Sequence, residues 1–342
     1  MTGRERVKAA MRYQAVDKVP LQYLYTPVGF YEHGEKLNDI YEKHPGDFQP
    51  FSRQPIPKLS SEDFDSEGRY HSFIRDEWGT LWEYRIFGIA GIPYEYPLAD
   101  AKAIDSYFPP PIPAQSEDER AQAKINMAAH KEQYYGLYNV GSLFERLRQL
   151  RPDNDVLMDM ALGEPALDLL ADRITEHVSE LILRAIDCGA DGISFGDDYG
   201  TERAMLISPE LWRRFFKPRL QGLFAPAVSA GLDILFHSCG QITDILEDLR
   251  QLGVTAIWPQ LPAYDMEDLA ARCRSLNMAV AVHTDRAVTM TSGTPQQVRD
   301  LVKREFEVFR MMDGGAWFYV ETDNGFPYEN VEAILETIAL WR

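Results

Sequence analysis

The second half of the chain repeats one unit, a short segment that is apolar at nearly every position followed by apolar residues at helical spacing. The apolar segments are Gly192-Ile193-Ser194-Phe195-Gly196, Ile234-Leu235-Phe236-His237, Ala256-Ile257-Trp258, Ala279 to His283 and Trp317 to Val320. Strands that are apolar throughout, rather than alternating, need helices on their faces, and therefore a parallel sheet. The helices are legible between them. Leu167, Leu170, Ile174, Val178, Leu181 and Ala185 recur at spacings of three and four behind Pro165, and Gly189 ends that run. Ser208-Pro209 and Thr294-Pro295-Gln296-Gln297 mark two further starts, the first with a kink at Pro218 and a stop at Gly231. Helices are also predicted over residues 242–252, 266–273 and 331–338. Upstream, Thr2 and Glu5 form a capping-box pattern that opens a helix through Met11, and strands are predicted at 19–25 and 134–140. Repeated βα units of this number predict an α/β fold of the (β/α)8 barrel type. A doubly wound sheet is the alternative, but no Gly-x-Gly-x-x-Gly loop follows an early strand.

Residues 51–114 break the rhythm. They carry scattered prolines, a hairpin-like Asp76-Glu77-Trp78-Gly79-Thr80-Leu81-Trp82, and a stiff Phe108-Pro109-Pro110-Pro111-Ile112-Pro113 ending. The stretch is too irregular for its own core, so it is read as an insertion covering one mouth of a single barrel domain spanning 1–342. With 35 Lys+Arg against 53 Asp+Glu, a net charge of -18, the chain is unsuited to nucleic acid or an anionic membrane, which need clustered cations. Three cysteines make no disulfide framework, and neither an apolar leader nor a long apolar run is present, so a cytoplasmic protein is expected.

In a barrel, polar residues just past an apolar strand stand at the catalytic mouth. Four strand ends qualify: Asp197-Asp198-Tyr199-Gly200, His237-Ser238-Cys239-Gly240, His283-Thr284-Asp285 and Glu321-Thr322-Asp323-Asn324-Gly325. His237 and Cys239 are two apart on a strand, so their side chains share a face, a workable start for a zinc site. The same pair would also arise as a hydrogen-bonded histidine beside a small buried thiol. Zinc needs further ligands, for which Glu321, with Asp323 as substitute, is the candidate; Cys188 and Cys273 read as core. Asp198 and Asp285 are the candidate catalytic carboxylates. Asp197, Tyr199, Tyr25 and His283 are the candidate substrate-binding groups. Asp197 and Asp198 are adjacent, so at most one of them faces the barrel axis.

Taken in order, Gly196-Asp197-Asp198-Tyr199-Gly200-Thr201, Ile207-Ser208-Pro209-Glu210, Lys217-Pro218-Arg219, His237-Ser238-Cys239-Gly240, Gly293-Thr294-Pro295 and Glu329-Asn330-Val331 resemble the uroporphyrinogen decarboxylase superfamily, which includes corrinoid-dependent methyltransferases. Asp76 to Thr80 and Tyr94 to Asp100 extend the likeness over nearly the whole chain. The resemblance implies a (β/α)8 barrel and suggests a homodimer. True decarboxylases carry an arginine-rich stretch after the first strand that binds substrate carboxylates. Here that stretch is Tyr25-Thr26-Pro27-Val28-Gly29-Phe30-Tyr31, and no arginine lies between Arg12 and Arg53. His-x-Cys-Gly, by contrast, is similar to the zinc-ligand motif of the methyltransferase branch. The resemblance therefore implies a methyltransferase acting between a small O-, N- or S-methylated compound and a corrinoid on a partner protein, with zinc at His237 and Cys239. The cysteine that some of those enzymes place in a Cys-Gly-x-Pro turn is absent; the matching stretch is Asn324-Gly325-Phe326-Pro327. A lyase acting on a tetrapyrrole and a non-catalytic binder of corrinoid or tetrapyrrole are the alternatives.

Overall fold

Seven parallel strands curl into one barrel wall. They are β1 (Leu21–Leu24), β5 (Leu137–Gly141), β6 (Gly192–Gly196), β7 (Asp233–Ser238), β8 (Ala256–Pro259), β9 (Ala279–His283) and β10 (Ala316–Glu321). Three more, β2 (Ser72–Arg75), β3 (Leu81–Tyr84) and β4 (Ile92–Glu95), make a separate antiparallel sheet. The wall runs β1-β10-β9-β8-β7-β6-β5, every neighbouring pair parallel, in a computed structural model that describes residues 1–342. This is the predicted α/β barrel with one correction: there are seven strands in the wall and not eight. Between β1 and β5 the chain passes as an irregular stretch at Asp47-Phe48. The Asp47 N–H donates to the Leu21 carbonyl at 2.8 Å, and the Tyr135 N–H donates to the Asp47 carbonyl at 3.0 Å. Pro45-Gly46 on one side and Pro50 on the other leave too short a run for a ladder, because proline lacks the donor a strand needs.

Period-two alternation sorts the wall's side chains into two layers. Ile193, Phe195, Ile234, Phe236, Ile257, Val280, Val282, Phe318 and Val320 point outward and join the core beneath the helices. Leu235, Ala256, Ala279, Ala281, Trp317 and Tyr319 point inward and form the barrel's own core. Val7 and Met11, from the Gly3–Met11 helix, plug that core from below. The plug helix carries the predicted capping box at Thr2 and Glu5. Trp317 is fully buried, its indole N–H donating to Gln22 Oε1 at 2.9 Å, and truncating an aromatic so placed costs about 3–5 kcal/mol. Small alanines on β8 and β9 opposite large aromatics on β10 let the layer fill without a void.

The helices follow the sequence signals closely. Pro165–Cys188 ends at Gly189 in the left-handed conformation, and Pro295–Phe309 opens on a complete capping box. The kink expected at Pro218 is a full break: Pro209–Phe215 and Lys217–Ser229 are separate helices meeting at Phe216. Residues 51–114 pack against the helices that follow β1 and β5, through Leu98 N–H to the Leu150 carbonyl at 3.0 Å and through the Phe87 ring against Tyr31 at 5.4 Å. Trp78 is buried there beneath the Arg146 guanidinium. No helix is long and apolar enough to cross a membrane.

Candidate active site

The strand periodicity that packs the interior continues upward and decides which polar groups enter the mouth. Leu235, His237 and Cys239 lie on one side of β7, Ala256 and Trp258 on one side of β8, Ala281 and His283 on one side of β9, and Tyr319 and Glu321 on one side of β10. Registers Gly196↔His237, His237↔Trp258 and Tyr319↔His283 set these residues at one height. Above them opens a cavity of about 470 Å³ lined by His237, Cys239, Trp258, Gln260, His283 and Arg286, among others. Its floor is aromatic. The Trp258 ring lies 4.0 Å from His237 and 4.1 Å from Tyr319, and its indole N–H donates to His283 Nδ1 at 3.3 Å.

His237, Cys239 and Asp198 form one cluster, with potential ligand atoms all within 4.8 Å of one another. His237 Nδ1 lies 2.8 Å from the Trp258 carbonyl, so Nδ1 carries the proton and Nε2 presents its lone pair. Nε2 stands 3.6 Å from Cys239 Sγ and 3.4 Å from Asp198 Oδ1. The Cys239 N–H donates to the same Asp198 oxygen at 2.7 Å, tying the two strand-end loops together. Burial lowers the His237 pKa, keeping the imidazole neutral, and pushes the Cys239 thiol up to about 12, with Asp198 adding to the push. A bound cation would reverse the thiol's preference, since a coordinating sulfur gives up its proton. Zinc bond lengths of about 2.3 Å to sulfur and 2.0–2.1 Å to nitrogen or oxygen put tetrahedral ligands about 3.6 Å (S to N) and 3.3 Å (N to O) apart. The two separations from His237 Nε2 match those edges, so the donor set fits a zinc ion with one position left for another ligand.

The third member is Asp198, placed among the catalytic candidates from sequence, and not Glu321. The Glu321 carboxylate is buried and held at 2.6 Å by Arg286, whose guanidinium also lies 3.5 Å from Asp323. Asn324, standing where a cysteine occurs in some relatives, donates through its side-chain amide to Glu32 at 2.7 Å. Asp285 does not offer a free carboxylate either. Its oxygens accept the N–H groups of Ala287, Val288 and Thr289 and the Thr289 hydroxyl at 2.9–3.1 Å, folding the loop after β9.

Three expected substrate contacts lie outside the cavity. Asp197 has the opposite parity to Asp198 and is fully buried behind the wall. It accepts the Leu143 and Glu145 amides at 2.9 and 3.0 Å and the Tyr199 hydroxyl at 2.8 Å, while burial pushes its carboxyl up to about 7. Tyr199 stacks on Phe144 and is fully buried, and Tyr25 packs among Tyr23, Phe30, Tyr41 and Phe51. His283 does line the cavity. Burial, with Arg286 nearby, lowers its pKa to about 3, so it is a neutral hydrogen-bonding group and not a cation. Gln260 and Arg286 are among the lining residues not singled out from sequence. Gln260 accepts the Gly240 amide at 2.9 Å and steadies the loop that carries Cys239. Arg286 is the cation beside Asp285, and its position just past a strand end was the available signal.

Parallel βα units wound into a barrel, with a His-x-Cys pair and a carboxylate converging at the carboxyl mouth, define a barrel protein built around a potential metal-ligand cluster. The uroporphyrinogen decarboxylase (URO-D) family model matches residues 151–338, just over half of the chain, and the protein belongs to that family. Among solved structures, a methyltransferase from Methanosarcina mazei is similar over 99% of both chains, with a TM-score of 0.64 and 16% identity, a likeness of fold. A family 10 endo-xylanase from Gloeophyllum trabeum (TM-score 0.42, 13% identity, 71% of this chain and 90% of that one) is more loosely similar and carries no argument. The same holds for a dihydropteroate synthase from Xanthomonas albilineans (0.35, 15%, 58% and 64%). No curated protein matches the chain.

Proposed function

We propose that this protein is a zinc-assisted methyltransferase that moves a methyl group between a small O-, N- or S-methylated compound and a corrinoid carried by a partner protein. The observation that carries the reading is the cluster of His237, Cys239 and Asp198, in which His237 Nε2 lies at tetrahedral-edge separations from Cys239 Sγ and Asp198 Oδ1. Those three side chains would hold the metal, which when bound supplies Lewis acidity toward the heteroatom that gains or loses the methyl group. The chain's other groups prepare that position. The Trp258 carbonyl fixes the His237 tautomer, Gln260 pins Gly240, and Trp258 with Tyr319 forms an apolar floor that excludes water. In the demethylating direction the methyl group would pass without the bonding electron pair to the reduced corrinoid of the partner, while the heteroatom keeps that pair and takes up one proton from solvent. Likeness of fold to a methyltransferase and the absence of arginine from the stretch after β1 favour this reading over a tetrapyrrole lyase. Of the two cavity arginines, Arg286 is already paired with Glu321 and Asp323, which leaves little to bind a substrate with eight carboxylates.

The test is metal analysis joined to a methyl-transfer assay. Expected are one zinc per chain, lost in His237→Ala, and zinc-dependent transfer from methylcobalamin to a small thiol, followed by the cobalamin spectrum. A protein that neither binds zinc nor responds to it would overturn the proposal, and carbon dioxide release from uroporphyrinogen would put the lyase in its place.

A further inference from the structure

Behind the loop that follows β9 lies a second, smaller cavity of about 210 Å³. Leu261, Pro262, Tyr264, Met266 and Leu301 line it, together with Asp285, Thr289 and Glu305. Leu261, Pro262 and Asp285 are shared with the main cavity, so one wall separates the two. Glu305 sits in the middle of the Pro295–Phe309 helix and is fully buried. Its Oε2 accepts the Thr284 hydroxyl at 2.8 Å, and its Oε1 has no hydrogen-bond partner. A buried carboxyl oxygen with no partner is costly, and such groups are retained where something else meets them.

The remaining lining says what that would be. Asp285 spends its oxygens on the loop's own donors, so Glu305 is the carboxyl on offer, and no lysine, arginine or histidine lines this cavity. The Tyr264 hydroxyl is committed at both ends, donating to the Gly240 carbonyl at 2.7 Å and accepting the Ile242 amide at 3.0 Å, so only its ring is on offer. An acidic pole, an aromatic face and aliphatic walls together select a small cation with an apolar body. We propose that this cavity is an accessory binding site for a short-chain alkylammonium ion, whose N–H groups meet Glu305 Oε1 and whose alkyl chain packs on Met266, Leu301 and the Tyr264 ring. Burial, with Asp285 nearby, raises the Glu305 pKa to about 8, so the side chain is close enough to ionisation for an arriving cation to displace its proton. Through Tyr264 and Gly240 the site touches the loop that bears Cys239, but the inference does not depend on methyl transfer.

The test uses the full chain and n-propylammonium chloride as probe, titrated calorimetrically at matched ionic strength, with n-propanol as the uncharged control. Binding of the ammonium is expected, with n-propanol at least about tenfold weaker, because the carboxylate discriminates by charge. Glu305→Gln should weaken the ammonium by a similar factor, and Leu301→Trp should block the cavity without touching the acid. His237→Ala should bind the probe as wild type does, which separates this site from the proposed metal cluster. No ammonium binding, equal affinity for n-propanol, or wild-type affinity in both Glu305→Gln and Leu301→Trp would overturn the proposal.

Discussion

Gly200→Ala is the sharpest probe of how the candidate site is held. Gly200 and Gly240 face each other where the loops after β6 and β7 cross, and a Cβ on Gly200 would lie 2.4 Å from the Gln241 nitrogen and 2.5 Å from the Gly240 carbonyl carbon. Both obstacles are backbone, so nothing can rotate aside. Opening a 2.4 Å contact to the 3.0–3.4 Å that real Cβ atoms tolerate means parting the loops by about 0.6–1 Å. The Cys239 amide to Asp198 bond of 2.7 Å spans that gap and would be stretched beyond hydrogen-bond length. Loss of one charge-assisted bond and the strain of the crossing together cost about 2–4 kcal/mol. The Cys239 and Asp198 donors would also shift relative to His237, and supporting-contact losses of this kind weaken metal binding about 10–100-fold. Urea unfolding and competition with a chromophoric zinc chelator measure the two effects. Gly222→Ala is the control, since that Cβ meets nothing within 4 Å inside a helix and should be neutral or slightly stabilising. If Gly200→Ala kept wild-type stability and zinc affinity, the argument that the glycine crossing sets the cluster would be refuted.

Other outcomes follow from the same geometry. Glu321→Gln should retain zinc in metal analysis while His237→Ala loses it, because the Glu321 carboxylate belongs to Arg286; zinc loss in both would return Glu321 to the ligand set. Asp197→Ala should cost about 2–4 kcal/mol in urea unfolding, since it strands two backbone amides and the Tyr199 hydroxyl, yet leave the zinc stoichiometry at that of wild type. Glu305, raised to about 8 in the fold from an ordinary value near 4.5, favours folding fully below pH about 4.5 and loses that contribution as pH rises through about 8. Wild-type stability should therefore fall by a few kcal/mol between pH 5 and 9 on this account, and a Glu305→Gln variant whose urea profile falls just as steeply would contradict it.

Much of this architecture could be read from residues alone, because the signals were local. Apolar runs, proline at helix starts and glycine at helix stops located β6, β9 and the Pro165–Cys188 helix within a residue or two. The missing eighth strand was not legible, since the Asp47 region is defined by what it bonds to on either side and not by its own pattern. At the site, period-two parity was enough to pair His237 with Cys239 and to say that Asp197 and Asp198 must part company. It could not say which of the pair faced in, because that depends on the register of β6 against β7. The choice between Asp198 and Glu321 as the acid beside His237 turned on Arg286, a contact made 35 residues along the chain from its partner. Helices at Pro27–His33, Glu35–Lys43 and Glu117–His130 went unpredicted.

The Asp47 carboxylate takes Arg6 and Arg342, from opposite ends of the sequence, together with the Leu21 amide at 2.8 Å. A cylinder closed at one place by a single carboxylate and two backbone hydrogen bonds has a weakest line, and thermal opening should start along it, with the amides of Leu21 and Tyr135 exchanging their hydrogens before those of β7 to β9. The seam lies between β1 and β5, so the molecule can loosen there while β7 to β9 stay shut.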